Sequence, residues 1–442
     1  MPIRHLLYIS SFLFASLTHA QIGDLFPDAK DLGEVSWEED VFKAFYENGK
    51  LAVRGTIKDS VREDRWFVFH ENGNINKILN FDEGKLNGSV ILYDENEIRI
   101  SETLYASGIK QGPHSEYYET GQLALVGYYK EGTMDSLWVE YSPYGFKTFE
   151  KNYAKGIAQG TWKYYHEASN VVQAIEQYEF GVEESRWSTY FRTGKLEKEF
   201  YFRNGLMHGP YVEYHNNQGR SVVGEYAYGL KTGKWLNIYR NGQLYAVGNY
   251  TRDQKSGIWK YFTESGKLES EGPYSNDSKQ GQWIYYHANE KLRAVGSYDS
   301  GEKDGLWGYF YENEQLQQEQ TWESGRLIAS STFYTIKGEP LPKGSLAGGS
   351  GSYFEYYAEG QKKLEATVVD GFFQGDYATY YQDGDVASKG KMTKGLEEGP
   401  WEYYHTNGRV RARGAFKAGQ RAGEWSYFNS RGRLSEKIAY SQ

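Results

Sequence analysis

The sequence predicts an all-β protein: an elongated, single-layer antiparallel β-hairpin ribbon, a solenoid of about 17 repeats of 24 residues. Three observations carry the prediction. The chain holds 51 Gly and 41 Tyr but only 9 Pro and no Cys, with aromatics at 17%, a balance that suits short strands and tight turns better than long amphipathic helices. Three stretches read almost as one line, "GIWKYFTESGKLESEGPY" from Gly257, "GQWIYYHANEKLRAVGSY" from Gly281 and "GPWEYYHTNGRVRARGAF" from Gly399. The pattern recurs at a fixed interval, which is the mark of a repeat array.

With the Trp column as position 0, it is filled by Phe42, Trp66, Val90, His114, Trp138, Trp162, Trp187, Tyr211, Trp235, Trp259, Trp283, Trp307, Ser331, Tyr353, Tyr377, Trp401 and Trp425. Fourteen of the sixteen spacings are 24 residues; Trp162 to Trp187 is 25 and Ser331 to Tyr353 is 22. Position +3 is aromatic in every repeat but the one with Ile238, position +7 is Gly in twelve, and position +13 is often Gly, as at Gly224, Gly248 and Gly296.

From the N-terminus, Arg4 precedes a largely apolar run, Leu6 to Leu17, and Thr18-His19-Ala20 ends on a small residue. The run is too short to cross a bilayer as a helix and has the form of an export signal, with cleavage expected after Ala20. The protein is therefore expected to be exported, to the periplasm, cell surface or medium of a bacterium, where a chain without disulfides is common. Residues 21–39 form a lead-in segment, residues 40–330 a first stretch of array, and residues 353–442 a second. Between them, residues 331–352 are irregular: "KGEPLPKGSLAGGSGS" from Lys337 loses the strand pattern, and a hinge, a decayed repeat and a recognition loop all fit it.

Within one repeat, Asn-Gly at +6 and +7, as in Asn241-Gly242, signals a two-residue hairpin turn with both residues at positive φ. Paired positions then sum to 13. Trp 0 faces Gly +13, and the aromatic at +15 faces the frequent Gly at −2, so each ring covers bare backbone. Six residues then loop to the next hairpin. At two strands per repeat the ribbon would run roughly 160 Å.

These columns resemble the variant form of the MORN repeat, the form grouped in bacteria with the YwqK-type antitoxin family. "GKWLNIYRNGQLYAVGNY" (Gly233 to Tyr250) is a near match, and the likeness covers Phe42 to Tyr440. The repeats at Val90, His114 and Ser331 depart from it at the Trp position. The resemblance implies a β-hairpin ribbon with a scaffolding or interaction role; for eukaryotic relatives it implies contact with lipid headgroups. An antitoxin role in the cytoplasm conflicts with export.

Catalytic chemistry finds no support. The absence of Cys removes thiolate and Cys-metal sites. Five of nine His stand at position +4 (His70, His166, His215, His287 and His405), never in consecutive repeats, so they would lie at least ~20 Å apart and are expected to pack or be solvated rather than ligate. Pairs such as Glu183-Glu184 fall in loops without a cleft. No catalytic residue, cofactor or metal site is expected, and the chain reads as a non-enzyme. A net charge of −9, or −10 once Arg4 is removed with the signal, speaks against nucleic acid and anionic lipid, and no later segment is a membrane span.

What is left is a binding surface. The core of the array is expected to be Trp138, Trp162, Trp187, Trp235, Trp259, Trp283, Trp307, Trp401 and Trp425. An odd offset puts position +3 on the opposite face, making Tyr141, Tyr165, Tyr190, Tyr214, Tyr286, Tyr380 and Tyr404 a candidate binding stripe. Either this stripe is an exposed ladder for a partner, or a bulge or covering loops draw it into the core. A protein partner is the first expectation, with envelope assembly as the role; a cell-wall glycan or exopolysaccharide is the second.

Overall fold

The computed structural model describes residues 25–28 and 31–440; the proposed export signal lies outside the described residues. Among the described residues there is no α-helix, and the long strands form antiparallel pairs between sequence neighbours. The fold is all-β: an antiparallel strand ribbon whose sheet of 30 strands is not closed, followed by sheets of two and eight strands. The chain divides into two compact units, Met1–His208 and Gly209–Gln442.

In the first unit a strand at Leu32–Glu38 already pairs with Val41–Tyr46, so pairing starts inside the lead-in segment. Ala44, Ala52, Val53, Trp66, Val68, Leu79, Phe81, Leu86 and Val90 form a buried cluster. Phe26 covers its end, 5.6 Å from the Trp66 ring.

The second unit shows the repeat at its most regular. In the strand pair Leu230–Ile238 and Leu244–Thr251, Trp235 faces Gly248 and Gly233 faces Tyr250, the register that the Trp and Gly columns predict. The turn is different. Tyr239 N–H donates to the Gln243 carbonyl and Gly242 N–H to the Tyr239 carbonyl, and only Gly242 has positive φ, at 90°. The Asn-Gly pair thus closes a longer loop with a left-handed Gly, preceded by a register shift between Asn237 and Ile238. The two-residue turn lies at the other end of the hairpin, where six loop residues were expected. Arg252 and Asp253 both have positive φ, 51° and 68°, and Thr251 pairs directly with Gln254. Type I′ geometry matches strand twist, and Asp, Asn and Gly in these turns tolerate it.

The two glycine columns also have different roles from the one expected. At position −2, Gly257 has φ +64°, and a Cβ there would meet nothing within 4 Å. This column serves the backbone: it sits in a bulge where Gly248 opposes the stretch between Ser256 and Lys260. The column at +13 is the one that must be bare.

The long sheet stops at Ser330. Phe333–Tyr334 pairs with Pro340–Leu341 as a separate two-stranded piece, and eight strands follow from Gly351 to Tyr440. The irregular segment is hydrogen-bonded on both sides: Gly349 N–H donates to the Ile328 carbonyl, and Gly371 N–H to the Gly349 carbonyl. Leu346, 4% exposed, packs with Leu327, Tyr353 and Val368.

Candidate functional site

The indole column builds the scaffold. Each ring lies on the +13 glycine of the preceding repeat rather than on that of its own hairpin: a Cβ on Gly224 would stand 2.2 Å from Trp235, on Gly248 2.2 Å from Trp259, on Gly272 2.4 Å from Trp283 and on Gly296 2.1 Å from Trp307. Burial of so large a ring is the dominant gain per repeat. Nε1 of Trp259, Trp283, Trp307, Trp401 and Trp425 donates to the carbonyl ten residues earlier, at 3.0–3.1 Å. Trp138, Trp235, Trp259, Trp283, Trp307, Trp401 and Trp425 are buried.

Trp162 and Trp187 are only half-buried. Eleven residues before them stand Lys151 and Glu176 in place of Gly. The Lys151 ammonium sits 4.8 Å from the Trp162 ring centre. Glu176, 5% exposed, accepts a hydrogen bond from the Tyr178 hydroxyl at 2.9 Å. Burial raises the Glu176 pKa, and the hydrogen bonds from Tyr178 and Tyr164 and the Lys151 charge do not outweigh it.

Two further columns lock one repeat to the next. Rings at +4 reach the +3 carbonyl of the following repeat: His287 Nε2 lies 2.8 Å from the Phe310 carbonyl and His405 Nε2 2.9 Å from that of Phe428. Tyr357 and Tyr381 donate in the same way to Tyr380 and Tyr404, at 2.8 and 2.6 Å. His and Tyr are interchangeable here because one ring donor is all that the position needs. The Asn at +6 does two jobs. Asn241 Oδ1 accepts from Gln243 N–H at 2.9 Å, and its Nδ2 donates to the Glu264 carbonyl of the next repeat at 2.7 Å. Asn289 and Asn407 repeat the second bond. The sequence signal was present in the column itself, but its cross-repeat role is invisible until the neighbours are placed. Among the described residues no group of three or more His, Asp or Glu is arranged to hold a metal.

The candidate stripe lies on the strand face away from the indoles. Tyr261, one residue before +3, stacks on Trp259 at 6.1 Å, so alternation sends position +3 to the other side. Tyr141, Tyr165, Tyr190, Tyr214, Tyr286, Tyr380 and Tyr404 are all half-buried, neither open nor in the core. Several are held by a carboxylate of the preceding repeat: the Tyr286 hydroxyl donates to Glu271 at 3.0 Å and that of Tyr380 to Glu365 at 3.3 Å. Tyr404 instead donates to Glu402 at 2.6 Å. Lysines complete the row, with Lys260–Glu271 at 2.8 Å and Lys389–Glu402 at 3.4 Å. The Lys260 hydrogen bond, with help from Tyr286, holds the Glu271 carboxyl below its usual range, while burial and then Glu271 raise the Tyr286 phenol. In the eight-stranded sheet this face forms an open groove of 1120 Å³, lined by Tyr380, Phe428, Lys389, Arg413, Glu402 and Lys437 among others. Its charges are mixed and largely paired, which suits a polar, specific contact rather than bulk attraction.

A family described as the MORN repeat variant matches at four places, residues 41–59, 110–131, 255–276 and 303–324. The chain matches no curated protein. Among solved structures it is similar to TcdB2-TccC3 without its hypervariable C-terminal region, at 15% identity and a TM-score of 0.15, covering 84% of this chain and 20% of that one. It is also similar to a Photorhabdus luminescens Tc holotoxin pore carrying a TccC3 mutation, at 10% identity and a TM-score of 0.13, covering 90% of this chain and 23% of that one. The chain thus spans about a fifth of the length of the structures it matches.

Proposed function

We propose that the chain is an exported, non-enzymatic repeat scaffold whose outer face, the side of the +3 tyrosines, binds a protein partner in the bacterial envelope. The repeats that match the MORN variant support a scaffold of this kind, and the N-terminal sequence supports export. One observation carries the choice of face: a 1120 Å³ groove crosses several repeats there, with Tyr380 and Phe428 set among paired charges. Such a surface gathers many modest contacts along a rigid frame. Kinship with the YwqK-type proteins belongs to this reading for the repeats alone, since export sets it apart from cytoplasmic toxin neutralisation.

The test is capture from envelope extract by the full chain and by Tyr380→Ala with Arg413→Glu. The scaffold reading expects a defined protein retained by the parent and lost with the double variant. Equal retention by both would remove the groove from the function. A second reading, glycan binding by the same tyrosines, draws on the rings of Tyr380 and Tyr404 beside hydrogen-bonding carboxylates. Retention on peptidoglycan with none on protein extract would favour it.

A further inference from the structure

The opposite face carries a second feature. In four consecutive repeats the residue at −4 is Lys, and each ammonium rests on its own indole: Lys231 at 4.5 Å from the Trp235 ring, Lys255 at 4.5 Å from Trp259, Lys279 at 4.1 Å from Trp283 and Lys303 at 4.6 Å from Trp307. Three also donate to a phenol, Lys255 to Tyr261, Lys279 to Tyr285 and Lys303 to Tyr309, at 3.1, 2.8 and 2.7 Å. Between successive ammonium groups stand hydroxyl pairs, Tyr261 with Tyr274 at 3.2 Å and Tyr285 with Tyr298 at 3.0 Å.

None of these four cations has an ion-pair partner among the described residues, whereas Lys260, Lys389 and Lys437 on the other face do. Asp253 and Asp277 are turned to the backbone N–H groups of Lys231 and Lys255, and Glu355 acts on Lys303 only at longer range. The chain carries a net charge of −9, and this row of cations runs against that overall sign. Desolvation lowers the pKa of Lys279 and Lys303, a cost that an arriving anion would offset.

We infer that this row, Lys231, Lys255, Lys279 and Lys303 with its intervening phenols, is a binding track for an acidic polysaccharide. The cations repeat at roughly 10 Å, two strand spacings, close to the length of two extended hexose rings, so a glycan with an acid on alternate sugars meets one ammonium per repeat. The phenol pairs face the intervening hydroxyls. A nucleic acid strand carries a phosphate about every 3.4 Å and would leave most of its charges unmet. A membrane surface calls for a broad basic patch, and this row is one cation wide.

The experiment is retention of the full chain on hyaluronate, which carries an acid on alternate sugars, with neutral dextran as the control polymer. The parent binds hyaluronate and releases it with salt; K255Q/K279Q/K303Q binds at least about tenfold more weakly, and K255R/K279R/K303R keeps the parent affinity. Should the Gln triple variant fail to fold by its melting curve, single K279Q is expected to bind about threefold more weakly. Unchanged binding by the folded Gln variants, equal retention on dextran, or tighter binding to single-stranded DNA or anionic vesicles would each overturn the track. Tyr380→Ala leaves this retention intact, so this inference and the outer-face reading fail separately.

Discussion

Gly248 and Trp259 stand on neighbouring strands with the indole laid against the glycine backbone, its Cδ2 2.2 Å from the place a Cβ would take. Real side chains never approach so closely, so any larger residue at 248 must push the ring off its seat. Trp259 is 1% exposed and donates from Nε1 to the Asn249 carbonyl at 3.1 Å. Gly248→Ala is therefore expected to cost about 3 kcal/mol through overpacking and the lost hydrogen bond. Chemical denaturation with Trp fluorescence measures it. Gly257→Ala gives the contrast, since it meets no neighbour within 4 Å but keeps φ at +64°; its cost of about 1 kcal/mol is conformational alone. Equal costs at both sites would refute the separation of the two glycine columns.

Glu176 stands at the corresponding position, eleven residues before Trp187, and is 5% exposed. Burial raises its pKa, so the folded state takes up a proton more readily than the unfolded one. The penalty of this charge is thus absent at acid pH and appears as pH rises through the raised value. Glu176→Gln, which still accepts from Tyr178, is expected to stabilise the chain by about 1 kcal/mol near pH 8 and to be neutral near pH 4. Melting temperatures at the two pH values decide it; a gain that is constant across pH would mean that the charge is not the cause.

Register and face were legible in the sequence, because a large ring and a glycine at fixed offsets exclude one another's alternatives. Trp235 opposite Gly248 follows from that rule. The turns were not. Asn241-Gly242 has the composition of a two-residue turn, yet the Asn side chain is occupied by Gln243 N–H and the Glu264 carbonyl, and these bonds fix the longer loop. The pairing of Trp with the preceding repeat's glycine also lay beyond the sequence: repeats offset by one period present identical columns, so only packing tells them apart. The half-buried state of Tyr286 rests on Glu271 of the preceding repeat, whose nearness no single repeat reveals.

The Asn ladder makes its own prediction. Asn241→Asp keeps the acceptor for Gln243 N–H but replaces the donor to the Glu264 carbonyl with a charged oxygen. The exposed bond contributes modestly, and the new oxygen–oxygen contact repels, so a loss of about 1 kcal/mol is expected. Amide exchange should speed up in the two flanking turns and leave Trp259 protected. Uniform loss of protection across the second unit would show that the bond governs more than its own turn.

Glu271 sets the acid limit of the outer face. Its carboxyl is held below the usual range by the hydrogen bond from Lys260, with a second from Tyr286, although burial pulls the other way. A group whose folded pKa is depressed lends stability above the ordinary carboxylate range and loses it as pH falls through the folded value. The Lys260 side chain is 46% exposed and that of Glu271 23%, so solvent screening limits the contribution to about 0.5 kcal/mol. Glu271→Gln should therefore match the parent near pH 3 and fall below it near pH 7, and added salt should narrow the gap. Denaturation midpoints at both pH values provide the measurement; a gap that persists at pH 3 would assign the loss to packing of Tyr286 instead of to charge.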